Sequence, residues 1–243
     1  PADLALMAAM NVPTVTVTRK PVVALLATGD ELVMPGEEPG PDQIIASNAF
    51  GLKALVEANG GHARMLPIAR DNADSLRTAF ELAADADLIV TIGGASVGDH
   101  DLVGEVAADL GMERSFYKVA MRPGKPLMAG RLEGAAMIGL PGNPVSTVIS
   151  CRRYVQPALM QMQGLQPKVQ QAQLPAEVKF KKSFTLFKPV SESSYENGIL
   201  QVQPVAANGS GDFASLALSE GFLELPAEQE TCAPGEIFDD YSW

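Results

Sequence analysis

Short, almost wholly apolar runs that end in glycine- and aspartate-bearing loops constrain this chain more than any other feature. VVALLAT (Val22–Thr28) runs into Gly29-Asp30, DLIVTIGG closes on a double glycine, and GAAMIGLPGNP ends in a proline-framed turn. Runs of this length have no polar face, so as strands they must be covered on both sides. Helix-period segments lie between them. ASNAFGLKALVEANGG offers Ser47 or Asn48 as an N-cap, a stripe of Phe50, Leu52, Leu55 and Val56, and Gly60-Gly61 as a stop. HARMLPIA reads as a further strand. DNADSLRTAFELAADA reads as a helix capped by Asp71 or Asn72 with Leu76, Phe80 and Leu82 inward, DLVGEVAADLG as another, and VSTVISCRRYVQPALMQM as a last one. This alternation predicts an α/β fold with a mostly parallel sheet and helices on both faces. After about Gly164 the pattern changes to short β-type runs such as TLFKPV, ILQVQPV and GFLELP, which predict a small all-β domain. The expected division is an α/β domain over 21–164 and a β domain over 165–243.

Composition excludes some classes of function. The 243 residues carry 29 acidic against 18 basic side chains, a formal charge of −11, which disfavours binding to nucleic-acid phosphates. One stretch reverses the sign: between Met112 and Arg131, Arg114, Lys118, Arg122, Lys125 and Arg131 meet one acid, Glu113, as a small anion would require. No apolar run approaches the roughly 20 residues of a membrane span. Cys151 and Cys232 have neither disulfide-framework nor zinc spacing, and His62 and His100 have no ligand-spaced partner, so a reducing cytoplasm without zinc is expected. The methionines, Met7 and Met10 included, read as core filler.

In open parallel sheets ligands sit beyond the carboxyl ends of the strands, which is where TGDEL, TIGGASVGDHD and GLPGNP fall. Gly93, Gly94 and Gly98 with Ser96 could present N–H and O–H groups to a phosphate; equally, they could form a tight turn in which Asp99 or Asp101 caps the next helix. Asp30 and Glu31 suit a hard divalent cation or a ligand's amino groups, or are solvated turn acids. Asp71 is a further acid or simply an N-cap. RPGKP and LPGNP are stiff loops that could hold main-chain donors in place for an oxyanion, or rigid turns.

Taken together, TGDEL, the Ser-Asn of IIASN, RDNADSL, TIGGASVGDHD, KVAMRPGKP and GLPGNPVS occur in the order and spacing of the molybdopterin molybdotransferase family, which includes the E-domain of gephyrin. The resemblance covers Val17 to Gly164 and, more weakly, the β-rich tail. It implies insertion of molybdate into adenylylated molybdopterin with release of AMP, in a cytoplasmic homodimer that uses Mg2+. It implies catalytic roles for Asp101, Glu31 and Asp71, and a metal site at Asp30 and Glu31. Gly29, Asp30, Ser47 and Asn48 join the ligand-binding set. Gly93, Gly94, Ser96 and Gly98 would embrace pterin or phosphate, Pro123, Gly124, Lys125, Pro141, Gly142 and Asn143 would line the other wall, and Lys118 and Arg122 would attract molybdate. Residues 1–20 would be the end of an N-terminal region that family members carry. Arg122 stands where lysine is frequent, Asn72 where a second aspartate is common, and FKKSFTLFKPV lacks the family's Gly-Arg…Arg segment. The alternatives are the adenylyltransferase that prepares this substrate, which the β-rich tail disfavours, and a gephyrin-like scaffold that binds a peptide without catalysis.

Overall fold

The structure, a computed structural model, describes residues 1–94, 101–181, 183–206 and 209–243. It opens with α1 (Ala2–Ala9), followed by β1 (Val22–Ala27), β2 (Leu32–Val33), β3 (Ile44–Ile45), α2 (Asn48–Ala58), β4 (His62–Met65), α3 (Ala73–Glu81), β5 (Leu88–Ile92) and α4 (Leu102–Asp109). Next come β6 (Glu113–Tyr117), β7 (Met121–Arg122), β8 (Met128–Leu132) and β9 (Ala135–Leu140). A continuous helical run then passes from α5 (Pro144–Ser150) through a π-turn at Cys151–Val155 into α6 (Gln156–Met162). The β-rich remainder is β10 (Gln170–Gln173), β11 (Val178–Lys179), β12 (Thr185–Glu196), β13 (Ile199–Pro204), α7 (Phe213–Ala217), β14 (Gly221–Leu225), β15 (Thr231–Cys232) and β16 (Ile237–Ser242).

The first sheet has the order β4-β1-β5-β9-β8-β6. Its β4-β1-β5-β9 portion is parallel, and β8 and β6 continue it in antiparallel fashion. Side chains of β1 alternate between two cores, as the period of a strand requires. Val23 and Leu25 pack with Leu52 and Val56 of α2, Ile149 of α5 and Leu159 of α6. Ala24 and Leu26 pack with Leu76 and Phe80 of α3 and with Val103 and Val106 of α4. Both faces are thus covered, and each fully buried leucine contributes about 1.5–3 kcal/mol.

Three expected core side chains lie outside. Phe50 is 42% exposed: it sits two residues before Leu52, about 200° round the helix from the buried stripe. Leu82 follows the last helical residue of α3, Glu81, and is also exposed. Met10 is exposed and α1 buries no residue.

In the second sheet β12 pairs with both β13 and β14, so β13, β10, β16, β14 and β12 close into a ring, with β7 from the first half added beside β12. Closure removes edges that would invite foreign pairing. The ring encloses Leu174, Val190, Leu200, Val202, Leu223 and Leu225.

The two sheets meet at a seam. Phe187, Phe222 and Tyr241 from the ring join the core under α5, and Phe222 stacks on Tyr241 with ring centres 5.1 Å apart. Arg152 and Arg153 of the π-turn both lie over Tyr241, at 5.5 and 5.3 Å. Arg152 Nε donates to the Ser242 carbonyl at 2.5 Å, and Arg153 Nε to the Glu224 carboxylate at 2.8 Å. Asp240 is buried beside them, and its Oδ2 has no hydrogen-bond partner among the described residues.

Candidate active site

The carboxyl ends of β1, β5 and β9 converge on one rim. Thr28 N–H donates to the Ile92 carbonyl at 3.0 Å, and Gly93 N–H to the Leu140 carbonyl at 3.1 Å. Gly93 has φ +90°, and a Cβ there would stand 2.8 Å from the Thr28 carbonyl oxygen. Only glycine lets these strand ends close to this distance. The backbone of Gly142 in turn packs against Gly93, and Asn48 ties the arrangement together: its Nδ2 donates to the Gly142 carbonyl at 2.7 Å.

Two clefts open on this rim and share Thr28 and Glu31. The larger, about 700 Å³, is bordered by Ser47, Asn48, Gly93, Pro141, Gly142 and Asn143. The ends of α2 and of the helical run beginning at Pro144 border it, and helix N-termini carry the unpaired N–H groups and positive dipole that favour anions. Its apolar wall is Leu32, Ile44 and Ile45, and Phe213 reaches it from the ring. The smaller cleft, about 430 Å³, has Gly29, Glu31, Asp71, Gly94 and the first turn of α4, including Glu105, on its walls. Two buried acceptors at the rim, Thr28 Oγ1 and Asn48 Oδ1, have no hydrogen-bond partner among the described residues. Such atoms are rare in folded proteins unless water or a ligand satisfies them.

The acid-bearing turns are cross-tied. Asp30 N–H donates to Asp71 Oδ2 at 3.3 Å and Asp71 N–H to Asp30 Oδ1 at 3.2 Å. The Glu31 carboxylate folds back over Gly29, into space that any Cβ at position 29 would occupy. Asp101 caps α4, accepting from Gly104 N–H at 2.9 Å, so it stands at the helix terminus whose next residues, Leu102 and Val103, form a wall of the smaller cleft. Asn72, rather than Asp71, caps α3, accepting from Ser75 N–H at 2.9 Å. Asp71 is thereby left to its bonds with Asp30.

The structure therefore brings together Gly29, Asp30, Glu31, Ser47, Asn48, Asp71, Gly93, Gly94, Pro141, Gly142 and Asn143 around the paired clefts, with Asp101 alongside. Ser96 and Gly98 lie outside the described residues, as do Asp99 and His100. Lys118, Arg122, Pro123, Gly124 and Lys125 border neither cleft; of their loop only Pro126 does. The reason is pairing with the ring. The Met121–Arg122 strand is parallel to Thr185–Leu186, and the Arg122 guanidinium lies 4.7 Å from the Phe184 ring centre, with Lys125 Nζ at 5.9 Å. Among the described residues no three His, Cys, Asp or Glu side chains gather to hold a metal, and no helix is long and apolar enough to cross a membrane.

Sequence reading missed Thr28, the apolar wall at Ile44 and Ile45, Glu105 and Phe213. Thr28 had a signal, since it opens the TGDEL loop after a buried strand. Phe213 had little, because only the closure of the ring carries the Gly209–Phe213 turn back to the α/β half, where Val145 N–H donates to the Ser210 carbonyl at 3.0 Å.

Residues 24–161 match the family model described as "Probable molybdopterin binding domain", and residues 171–243 that described as "MoeA C-terminal region (domain IV)". The chain is 33% identical over 232 residues to the molybdopterin molybdenumtransferase of Synechocystis sp., covering 94% of this chain and 57% of that protein. With the enzyme of the same name from Haemophilus influenzae it shares 34% identity over 245 residues, covering 97% and 59%. A crystal structure of the molybdopterin biosynthesis MoeA protein of Pyrococcus horikosii superposes with TM-score 0.83 at 32% identity, over 99% of this chain and 59% of that one. The chain thus spans under two thirds of the length of these relatives. With both halves matched in order and the fold superposed throughout, the chain belongs to the probable molybdopterin binding domain family, followed by a MoeA C-terminal region.

Proposed function

We propose that this chain serves molybdenum cofactor biosynthesis by inserting molybdate into adenylylated molybdopterin with release of AMP. The observation that carries the reading is the position of Glu31 on the ridge between two clefts, one rich in main-chain donors and one acidic. In this reading the larger cleft takes the pterin and its phosphate. The apolar wall and Phe213 cover the ring, the helix ends meet the anion, and Asn48 Oδ1 and Thr28 Oγ1 accept from ligand N–H groups. Glu31, Asp71 and Asp101 act at the adenylyl bond, and Lys118, Arg122 and Lys125 draw molybdate toward the rim by their charge.

The donor set suits magnesium, which keeps several waters and takes one or two carboxylates together with substrate phosphates. Asp30 and Glu31 would hold it, and it would supply Lewis-acid polarisation of the phosphoryl oxygen. The remaining work falls to residues of the chain: fixing the substrate between stiff loops and keeping negative charge apart until the reactants are in place. A cytoplasmic homodimer completes the proposal.

Asp101 provides the test. Because it caps α4, Asp101→Ala removes a cap worth about 0.5–2 kcal/mol along with the charge, whereas Asp101→Asn keeps a good capping side chain. The expected result is a folded Asp101→Asn chain whose molybdate-dependent AMP release is at least about 100-fold below that of wild type. Wild-type turnover in this variant would overturn the assignment.

A further inference from the structure

Arg70, which opens the RDNADSL motif without an assigned role and borders neither cleft, holds the acid-bearing turn. Its Nη1 lies 3.4 Å from the carbonyl oxygen of Gly29, 3.2 Å from that of Asp30 and 3.1 Å from that of Leu32. These three carbonyls span the turn that carries Glu31. The guanidinium has an anchored base: Arg70 N–H donates to Ser75 Oγ at 2.9 Å, and the Arg70 carbonyl accepts from Asn72 N–H at 2.7 Å, both at the start of α3. Gly29 N–H donates to the carbonyl of Ala69, the residue before Arg70, at 3.1 Å. Residues 69–71 thus clasp 28–32 by main chain on one side, by the Asp30–Asp71 exchange on the other, and by one cation in the middle.

We propose that Arg70 is a positioning residue for this site, fixing the Gly29–Leu32 turn so that Glu31 and Asp71 border the same cleft before any ligand arrives. The proposal rests on the reading above that these two acids work together. The physical need is plain. Asp30, Glu31 and Asp71 crowd like charge into two adjoining turns, and their repulsion favours splaying the turns apart. Charge-assisted hydrogen bonds to carbonyls act against that, because they bind the main chain and leave the carboxylates free for a ligand or cation. An arginine paired directly with Glu31 or Asp71 would occupy the groups the chemistry needs. Arg70 has no such pair among the described residues. All three contacts come from a single nitrogen, so a lysine ammonium, with three donors, can reproduce part of the set.

The test compares Arg70→Met, Arg70→Lys and Glu31→Gln with wild type, measuring molybdate-dependent AMP release over a range of adenylylated molybdopterin concentrations and hydrogen exchange of the Asp30 and Asp71 amides. Expected for Arg70→Met is a kcat lowered at least about tenfold with KM changed less than about threefold, and amide exchange at both positions at least about tenfold faster. Arg70→Lys should be intermediate in both. Glu31→Gln should lose about 10³-fold of AMP release with wild-type amide protection. An Arg70→Met chain with wild-type kcat or unaltered exchange, or an Arg70→Lys chain no better than Arg70→Met, overturns the proposal. A fully active Glu31→Gln chain overturns instead the reading on which it rests, and does so without reference to Arg70.

Discussion

The acid-bearing turns and the seam between the sheets both concentrate charge, and they hold it in opposite ways. At the turns, Asp30 and Asp71 each accept one main-chain N–H through a single carboxylate oxygen, and Glu31 and Asp71 border the clefts. At the seam, Arg152 and Arg153 are drawn against the ring, donating to Ser242 and Glu224 and lying over Tyr241, and Asp240 of the ring is buried beside them. Burial lowers the Arg152 pKa, pushes the Asp240 carboxyl up to about 6 and raises that of the Tyr241 hydroxyl, which also neighbours Glu224. Shifted protonation is often read as a sign of chemistry, yet structural clusters produce it too. Here it marks a joint. The lesson is that a charge used on ligands needs its neighbours to bind the backbone, whereas a charge used to join two layers binds side chain to layer and loses its water.

The comparison breaks most severely if the turn acids are dispensable. Glu31→Gln keeps the shape of the side chain and removes its charge, and the expected loss of AMP release is about 10³-fold, near 4 kcal/mol on the barrier, with a thermal midpoint close to wild type. At the seam the expectation is reversed. Arg152→Met removes the bond to the Ser242 carbonyl and the contact with Tyr241, and leaves Asp240 facing Glu192 without its nearby cation. Urea unfolding should show a loss of about 2–3 kcal/mol. Any fall in activity should follow the fraction unfolded.

Asp240 gives the comparison a pH axis. Its carboxyl is raised mainly by burial and next by Glu192, against the opposing pull of Arg152. The unfolded carboxyl ionises near pH 3.9. Between about pH 4 and 6 the folded chain therefore binds the extra proton, so stability falls as pH rises through that window and is level above it. Asp240→Asn should abolish this slope and stabilise the chain at pH 7 by roughly 1–2 kcal/mol, measured by denaturant unfolding at several pH values. An unchanged slope would show that Asp240 is not the group responsible.

How much of this was legible depends on where the determining contacts are. The strands Val22–Ala27 and Leu88–Ile92 could be read because burial on both faces leaves an unmistakable apolar run, and the rim loops followed from the ends of those strands. The antiparallel extension could not. Glu113–Tyr117 is mostly exposed and shows no alternation, and its pairing with Met128–Leu132 is interrupted between Arg114 and Phe116. The same stretch holds the basic cluster, whose sequence reads alike whether it faces an anion or the ring. The parallel pairing of Met121–Arg122 with Thr185–Leu186, a contact across more than sixty residues, is what sets Arg122 beside the ring, and no local pattern announces it. Arg152 and Arg153 pose the same difficulty. RRY in a helix looks like a solvated face until the ring arrives to cover it.

The smallest expected effect tests the boundary between local and tertiary information. Leu76 and Leu82 both fit an inward stripe by eye, yet one is fully buried between α3 and the sheet and the other lies beyond the helix end, 48% exposed. Leu76→Ala removes packed methyl groups and leaves a cavity, at a cost of about 2–5 kcal/mol. Leu82→Ala removes methyl groups already in contact with water, and alanine is at least as good a helix former, so unfolding should shift by no more than about 0.5 kcal/mol. A large loss at Leu82 would mean that this side chain is covered by something beyond the described residues. The stripe read from spacing alone would then be the better guide to burial at that end of α3.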